Sequence, residues 1–122
     1  MTAMQALRTA MVAAFPEGAG WAWSMERLND GARNPALRYG VIKSAGGGGG
    51  DVVRTPLLTI DFIGKPGGDV EQTEEAAQKA IGILRESAGP FAIFEPGEPS
   101  PSAGAEGRPI YTVAVAATLI DD

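Results

Sequence analysis

The chain has 122 residues, a net charge of −5, seventeen glycines and nine prolines, and it contains neither cysteine nor histidine. Its length fits one domain with one hydrophobic core, and its glycine and proline content favours strands and turns over a helical bundle. Without cysteine or histidine the chain has no disulfide, no thiolate nucleophile, no thiolate or imidazole metal ligand and no imidazole general base.

Charge and hydropathy argue against two further classes of protein. Ten basic residues are scattered along the chain, whereas affinity for free nucleic acid needs clustered Lys and Arg that release phosphate counterions. No apolar run approaches the length of about 20 residues that a membrane-spanning helix requires. The first residues lack the basic region and cleavage site of a secretory signal, so we expect synthesis in the cytoplasm and no membrane association.

The first predicted element is an amphipathic helix over residues 2–15. Leu7 and Met11 are spaced to share one face of that helix, with Thr2 as its cap. Pro16 and the glycines after it end the helix, because proline restricts the residue before it and glycine removes backbone constraint.

Two strands are predicted next. In residues 21–28, two tryptophans and a methionine alternate with smaller or polar residues, which is the period of a half-buried strand. An Asn-Asp-Gly turn at 29–31 follows. Residues 36–44 form the second strand, with Tyr39 and Val41 on one face.

Five consecutive glycines, residues 46–50, are predicted to form a loop tip between two strands. Glycine loses the most backbone entropy on ordering and has no side chain to bury. The next strand covers residues 52–63, with Leu58 and Phe62 facing one way. Because Pro56 donates no ladder hydrogen bond, we expect the first part of that strand to lie at an edge or a bulge.

A second helix begins at Asp69, which with Gln72 resembles a capping box, and ends before Gly89 and Pro90. Glutamates near its start and basic residues toward its end complement the helix dipole. Small alanines on one side allow close approach to a sheet. The predicted buried stripe consists of Val70, Thr73, Ala77, Ala80, Ile81 and Leu84.

The chain closes with a short strand at 91–95, a loop at 96–108 and a long strand at 110–120. The order αβββαββ predicts an α+β fold in which two helices pack on a small mixed or antiparallel sheet. The last strand has an apolar face and a second face of small residues, Thr112, Ala114, Ala116 and Thr118. That second face is packed either under a helix or against a neighbouring subunit, because exposed strand faces usually carry longer polar groups.

No catalytic, cofactor or metal site is assigned from the sequence. Asp61 and Glu95 are the only plausible carboxylate pair besides the helix-start glutamates, and solvated surface carboxylates greatly outnumber catalytic ones. The glycine run leads into a strand, whereas phosphate-binding loops lead into a helix. Trp21 and Trp23 are more often core or subunit contacts than ligand-stacking groups.

As a whole, the pattern resembles the tail-terminator and tail-completion proteins of long-tailed bacteriophages and of related tailed particles such as gene transfer agents. The resemblance covers nearly the whole chain and consists of apolar alternation with a few recurrent residues. The segments that carry it are Ala-Phe-Pro at 14–16, the strand at 38–43, Leu-Leu-Thr-Ile-Asp-Phe-Ile-Gly at 57–64, the acidic-started helix around 74–81 and the closing strand at 111–119.

The resemblance implies a structural virion protein, not an enzyme, that acts as one domain over residues 1–122. Proteins of this kind form a ring, expected to be a hexamer, at the head-proximal end of the tail tube. There they stop tube polymerisation and join the tail to the head. The implied partners are further copies of the chain, the tail tube protein and head-tail connector proteins, with DNA passing through the ring without specific binding.

Two alternatives stay open at this point. The chain could be a head-completion or connector protein of the same particle, or a dimeric α+β domain that binds a small molecule between Trp21, Trp23 and Tyr111. Ring assembly needs two complementary surfaces on one chain and no active site. The candidate contact residues are Gly46, Gly47, Gly48, Gly49, Gly50, Trp21, Trp23, Pro99, Pro101 and Arg108.

Overall fold

The computed structural model describes residues 3–25, 35–47, 56–86, 92–104 and 107–119. Two α-helices, a single-turn 3-10 helix at Glu17–Ala19 and six strands lie in these ranges. The bounds are α1 (Ala3–Ala14), β1 (Trp21–Met25), β2 (Arg38–Gly47), β3 (Pro56–Ile63), α2 (Val70–Glu86), β4 (Ala92–Pro96), β5 (Ser100–Ala103) and β6 (Pro109–Leu119).

The six strands form one mixed sheet in the order β1-β2-β3-β6-β4, with β5 also paired to β6. β1 and β2 are parallel, and all the other pairings are antiparallel. The predicted α+β class, mixed sheet and two helices are therefore confirmed. The predicted turn at 29–31 and the helix end at Gly89 and Pro90 lie outside the described residues.

The predicted loop at 96–108 is wrong in one respect, because it contains the strand β5. β4 pairs with the second half of β6, and β5 pairs with its first half. The N–H of Gly97 donates to the carbonyl oxygen of Ala114 at 2.7 Å, so the chain stays close to β6 between the two strands. Prolines hid this element because they are unfavourable in strand interiors, yet they are tolerated on the edge of a sheet.

The prediction that the glycine run forms a loop is wrong for its first two residues. Gly46 and Gly47 belong to β2, and Gly47 pairs with Pro56 after a register irregularity that begins at Ser44. β3 lies between β2 and β6, so Pro56 is at the start of an interior strand opposite an irregularity, not at a sheet edge. Backbone pairing needs no side chain, which explains why glycine can extend the strand. Gly48, Gly49 and Gly50 lie outside the described residues.

Both helices pack on one face of the sheet. Alternate residues of β3 and β6 point toward them, which confirms the predicted alternation in those strands. The predicted buried stripe of α2 is wrong at Val70, which is exposed, because Thr73 is the first residue of α2 that packs against the sheet. Ala76, which the predicted stripe left out, is also buried. This core contains Leu7, Met11, Phe15, Trp21, Ile42, Leu58, Ile60, Phe62, Ala76, Ala77, Ala80, Ile81, Leu84, Phe94, Val113, Val115 and Ala117.

The second face of the sheet points away from both helices. At one end it carries a small buried cluster of Tyr39, Val41 and Ile63. At the other end Ala114 and Thr118 of β6 are exposed. Of the two arrangements left open for the small residues of β6, packing under a helix is therefore ruled out for the helices that the structure describes.

An ion pair ties β2 to the start of α2. Arg38 donates from Nε to Oδ2 of Asp69 at 2.7 Å and from Nη2 to Oδ1 at 3.0 Å, and the N–H of Lys65 donates to Oδ2 at 2.9 Å. Burial by itself raises the pKa of Asp69. The hydrogen bonds from Arg38 and Lys65 and the charge of Arg38 outweigh it and hold that pKa below its ordinary value. Asp69 directly precedes α2, which is the position predicted for its cap residue. The contacts with Arg38 and Lys65, however, hold its carboxylate against the sheet.

Gly40 is required by the close approach of an aromatic ring. Trp23 is its partner across the parallel β1-β2 pairing, and a Cβ added at Gly40 would overlap the six-membered part of the Trp23 indole. A side chain here would push the indole out of the helix-side core.

None of the helices in the described residues is both long enough and apolar enough to span a bilayer.

Gly40→Ala is expected to lower the free energy of unfolding by about 1–3 kcal/mol, the usual cost of overpacking a core. Gly82→Ala is the matched control. Its Cβ meets nothing within 4 Å on an exposed position of α2, so it should stabilise the chain by about 0.5–1 kcal/mol. Urea titration followed by tryptophan fluorescence measures both. Equal stabilities for the two variants would contradict the proposed role of Gly40.

Asp69→Asn tests the ion pair through pH. A carboxyl with a lowered folded-state pKa contributes its full stability above its unfolded pKa of about 3.9 and loses it as pH falls through the folded-state value. The wild-type chain should therefore lose more stability than Asp69→Asn as the pH falls below about 4. Glu86→Gln, at an exposed position of α2, controls for the loss of one negative charge. Parallel pH profiles for wild type and Asp69→Asn would rule out the effect.

Candidate assembly surfaces

Trp21 and Trp23 form an aromatic cluster inside the subunit. Their rings stack with centroids 5.9 Å apart, and both meet the ring of Phe62 edge-on at 5.9 Å. The indole N–H of Trp23 donates to the backbone oxygen of Phe15 at 2.9 Å. Trp21 is only 5 % exposed, so its ring fills the core and offers no surface to a ligand or a neighbouring chain.

Arg108 is a second predicted contact residue that the structure buries. It is 2 % exposed. Its Nη1 donates to the backbone oxygens of Leu37 and Gly64, each at 3.1 Å, and its guanidinium lies 5.2 Å from the centre of the Tyr39 ring. Arg108 therefore connects the starts of β2 and β6 with the end of β3. This position argues against the prediction that it contacts a neighbouring subunit.

The predicted contact residues Pro99 and Pro101 lie on the edge of the sheet. Pro101 is exposed within β5, and Pro99 is half-buried in the short connection from β4. Both positions remain accessible to a neighbour. Among the predicted contact residues, Trp21 and Arg108 are thus buried, whereas Pro99 and Pro101 lie at an edge of the sheet.

Three large apolar side chains are exposed in the described residues, and each lies on a different surface. Met25 at the end of β1 is 39 % exposed, Leu57 on the second face is 44 % exposed and Val70 at the start of α2 is 45 % exposed. Sequence reasoning assigned Met25 and Val70 to buried faces. The exposure of Leu57 could have been found by extending the alternation of β3 by one residue, because Leu57 shares a face with Thr59 and Asp61.

The second face carries a small apolar surface beside a polar cluster. Leu57 pairs with Ala116 and Thr59 with Ala114 across β3 and β6. Farther along β3, the carboxylate of Asp61 lies 2.8 Å from Nζ of Lys43 and accepts a hydrogen bond of 2.7 Å from Oγ1 of Thr112. Asp61 is therefore engaged by both neighbouring strands, which gives it a structural role.

The exposed side of α2 is acidic. Glu71, Glu74, Glu75 and Gln78 line an open groove of about 390 Å³. The hydroxyl of Tyr111 is 3.5 Å from Oε2 of Glu74. In the described part of the chain, no group of three or more acidic side chains is arranged to hold a metal ion.

Most of the positive charge in the described residues is already engaged. Of the seven Lys and Arg there, five contact a carboxylate, a backbone oxygen or an aromatic ring. These contacts are Arg38 with Asp69, Lys43 with Asp61, Arg85 with Glu98 at 3.7 Å, Lys79 over Phe15 at 5.3 Å, and Arg108 with the two backbone oxygens and Tyr39. In the part of the chain that the structure describes, little cationic surface is left for phosphate groups.

A family model described as phage tail termination protein matches residues 2–121 of this sequence. The chain belongs to that family. Among curated proteins, none matches the chain. The resemblance seen in the sequence is confirmed, and the chain is a structural protein of the phage tail, located in the virion and interacting with other tail components.

Arg108→Met in this tail protein should destabilise the subunit by about 2–4 kcal/mol, because two buried carbonyl oxygens lose a charged donor. Arg8→Met on the exposed side of α1 removes the same charge from the surface and should change stability by less than about 0.5 kcal/mol. Thermal unfolding measures both. If Arg108→Met kept wild-type stability while assembly failed, Arg108 would be a contact residue after all.

Proposed function

We propose that this protein forms a ring, of six copies, at the head-proximal end of the tail tube. There it ends polymerisation of the tube and joins the tail to the head. The observation that carries the proposal is the match to the tail termination family over residues 2–121. Because the match spans nearly all of the sequence, we also propose that residues 1–122 act as one domain.

The surface chemistry supports an assembly role. The three large apolar side chains that are exposed in the described residues lie on three separate surfaces, so one subunit can contact several neighbours at once. A cyclic ring requires two different surfaces that complement each other on every copy. Further contacts then remain for the tail tube protein on one side of the ring and for head-tail connector proteins on the other.

The charges support passage of DNA without specific binding. The chain has a net charge of −5, and most described basic side chains are engaged within the subunit. A ring channel lined by such subunits would not bind DNA through the release of phosphate counterions. We propose that the protein is made in the host cytoplasm, has no catalytic activity, and acts only through contacts with protein neighbours.

The small-molecule alternative lacks support in the described residues. It needed Trp21, Trp23 and Tyr111 to line an apolar cleft. The two tryptophans instead stack on each other against Phe62, and the Tyr111 hydroxyl faces the acidic side of α2.

Electron microscopy of particles made without this protein tests the function. Tail tubes of uncontrolled length with no heads attached are expected, and supplying the chain in trans should restore tails of uniform length. Tails of normal length on intact particles would refute the proposal. Tails of normal length beside detached heads that leak DNA would instead assign the chain to the connector.

A biochemical version uses the purified components. Tail tube protein polymerising alone should give a broad length distribution, and prior addition of this chain should shorten the tubes by blocking their growing ends. A length distribution that does not change with the amount of added chain would contradict the termination step without bearing on head joining.

A further inference from the structure

Two of the features that usually prevent a sheet edge from pairing, proline and charged side chains, are missing from the described residues of the edge strand β1. Its five residues, Trp-Ala-Trp-Ser-Met, include no proline and no charged side chain. Within the described ranges it pairs only with β2. Natural proteins usually protect such an edge with proline, lysine, a bulge or a covering segment. Met25, at the end of this strand, is exposed, as expected for a side chain that a neighbour covers.

In the described residues, the opposite edge of the sheet is free of proline along only about half of its length. β4 has five residues, and its one proline is the last of them, Pro96. Beyond it, Pro99 precedes β5 and Pro101 lies within it. Prolines cannot donate a ladder hydrogen bond, so strand pairing along this edge is limited to β4.

The two edges run in opposite directions. β1 is parallel to β2, and three successive antiparallel pairings lead from β2 through β3 and β6 to β4. β1 and β4 are therefore antiparallel. In a cyclic ring each copy presents one edge to the preceding copy and the other edge to the next. A junction between β1 and β4 would then be an antiparallel ladder, the more stable kind of strand pairing.

We infer that β1 of one copy pairs with β4 of the next copy, so that the sheets of neighbouring subunits join edge to edge. This inference rests on the proposed ring and names the surface that builds it. The occupant of the β1 edge is thus a second copy of this chain, which extends the ladder by main-chain hydrogen bonds. The junction covers Met25 and leaves the second faces of the two sheets continuous.

Engineered cysteines test the junction directly, because the natural chain contains none. Ser24 of β1 and the exposed Glu95 of β4 both lie on the second face, since Ser24 pairs with Val41 and Glu95 with Ala116. Their Cα atoms would come within disulfide range across the junction. Two double variants cover the two nearest pairings. The first combines Ser24→Cys with Glu95→Cys, and the second combines Ala22→Cys with Glu95→Cys for the register shifted by two residues.

In purified particles, one of these double variants should give a ladder of cross-linked species that extends beyond the dimer on a non-reducing denaturing gel. The single variants are the controls, because one cysteine per chain cannot link more than two copies. A dimer from Ser24→Cys alone would mean that two β1 strands pair with each other and would overturn the inference. So would the absence of a ladder in both double variants from particles with tails of normal length, which would leave the termination function standing.

Matched lysine substitutions give a second readout. Each of three variants adds one lysine at a similarly exposed position. Met25→Lys adds it at the end of β1, Val70→Lys at the start of α2 and Leu57→Lys on the second face. Met25→Lys should abolish ring formation, while Val70→Lys and Leu57→Lys should retain it, with all three showing the wild-type far-ultraviolet circular dichroism. Ring loss confined to Leu57→Lys would overturn the edge junction in favour of packing through the second face. If Met25→Lys does not fold, the cysteine ladder decides.

Discussion

The aromatic cluster around Phe62 determines where the edge strand β1 lies. Within the residues that the structure describes, β1 pairs with β2 alone, and that pairing is parallel. Trp21, Trp23 and Phe15 all surround Phe62, an interior residue of β3, with ring centroids 5.7 to 5.9 Å from it. Aromatic pairs of this geometry contribute about 0.5–1.5 kcal/mol each beyond their buried area. Gly40 makes the arrangement possible because the Trp23 ring occupies the space of its missing side chain.

A second group of contacts, made by charged side chains, stabilises the same end of these strands, where Trp21 pairs with Arg38 and Phe62 with Gly40. Arg108 bonds the backbone of Leu37 and Gly64, and Arg38 bonds Asp69. Each arginine joins segments that are distant in sequence, so these contacts stabilise the sheet as a unit. They also direct the hydrogen-bond donors of both arginines to acceptors inside the subunit. In the described residues, these arginines are therefore not available as cationic contacts for other molecules.

Several parts of this fold could be predicted from the sequence because they depend on local periodicity. Alternation placed Leu58 and Phe62 on one face of β3 and predicted an apolar face for β6, and these faces are buried in the core. The spacing in α2 likewise identified most of its buried side. Burial of Arg108 could not be predicted, since its acceptors at Leu37 and Gly64 come together only through the sheet topology. β5 was missed because edge strands tolerate prolines that otherwise indicate a loop. Exposure of Met25 depends on the edge position of β1, which periodicity does not reveal.

Pairing between β1 and β4 of neighbouring copies gives a physical reason why β1 contains no proline or charge, whereas prolines at the other edge of the sheet limit strand pairing. An unprotected edge in a free monomer is an aggregation hazard, because any other strand can extend it. Closure into a ring removes the hazard, since every β1 edge then has a partner. Prolines at 99 and 101 limit pairing to the four residues of β4 that precede Pro96, which restricts the register in which two copies can meet. Register and closure together would favour one discrete assembly over an open filament, as a component that ends a polymer requires.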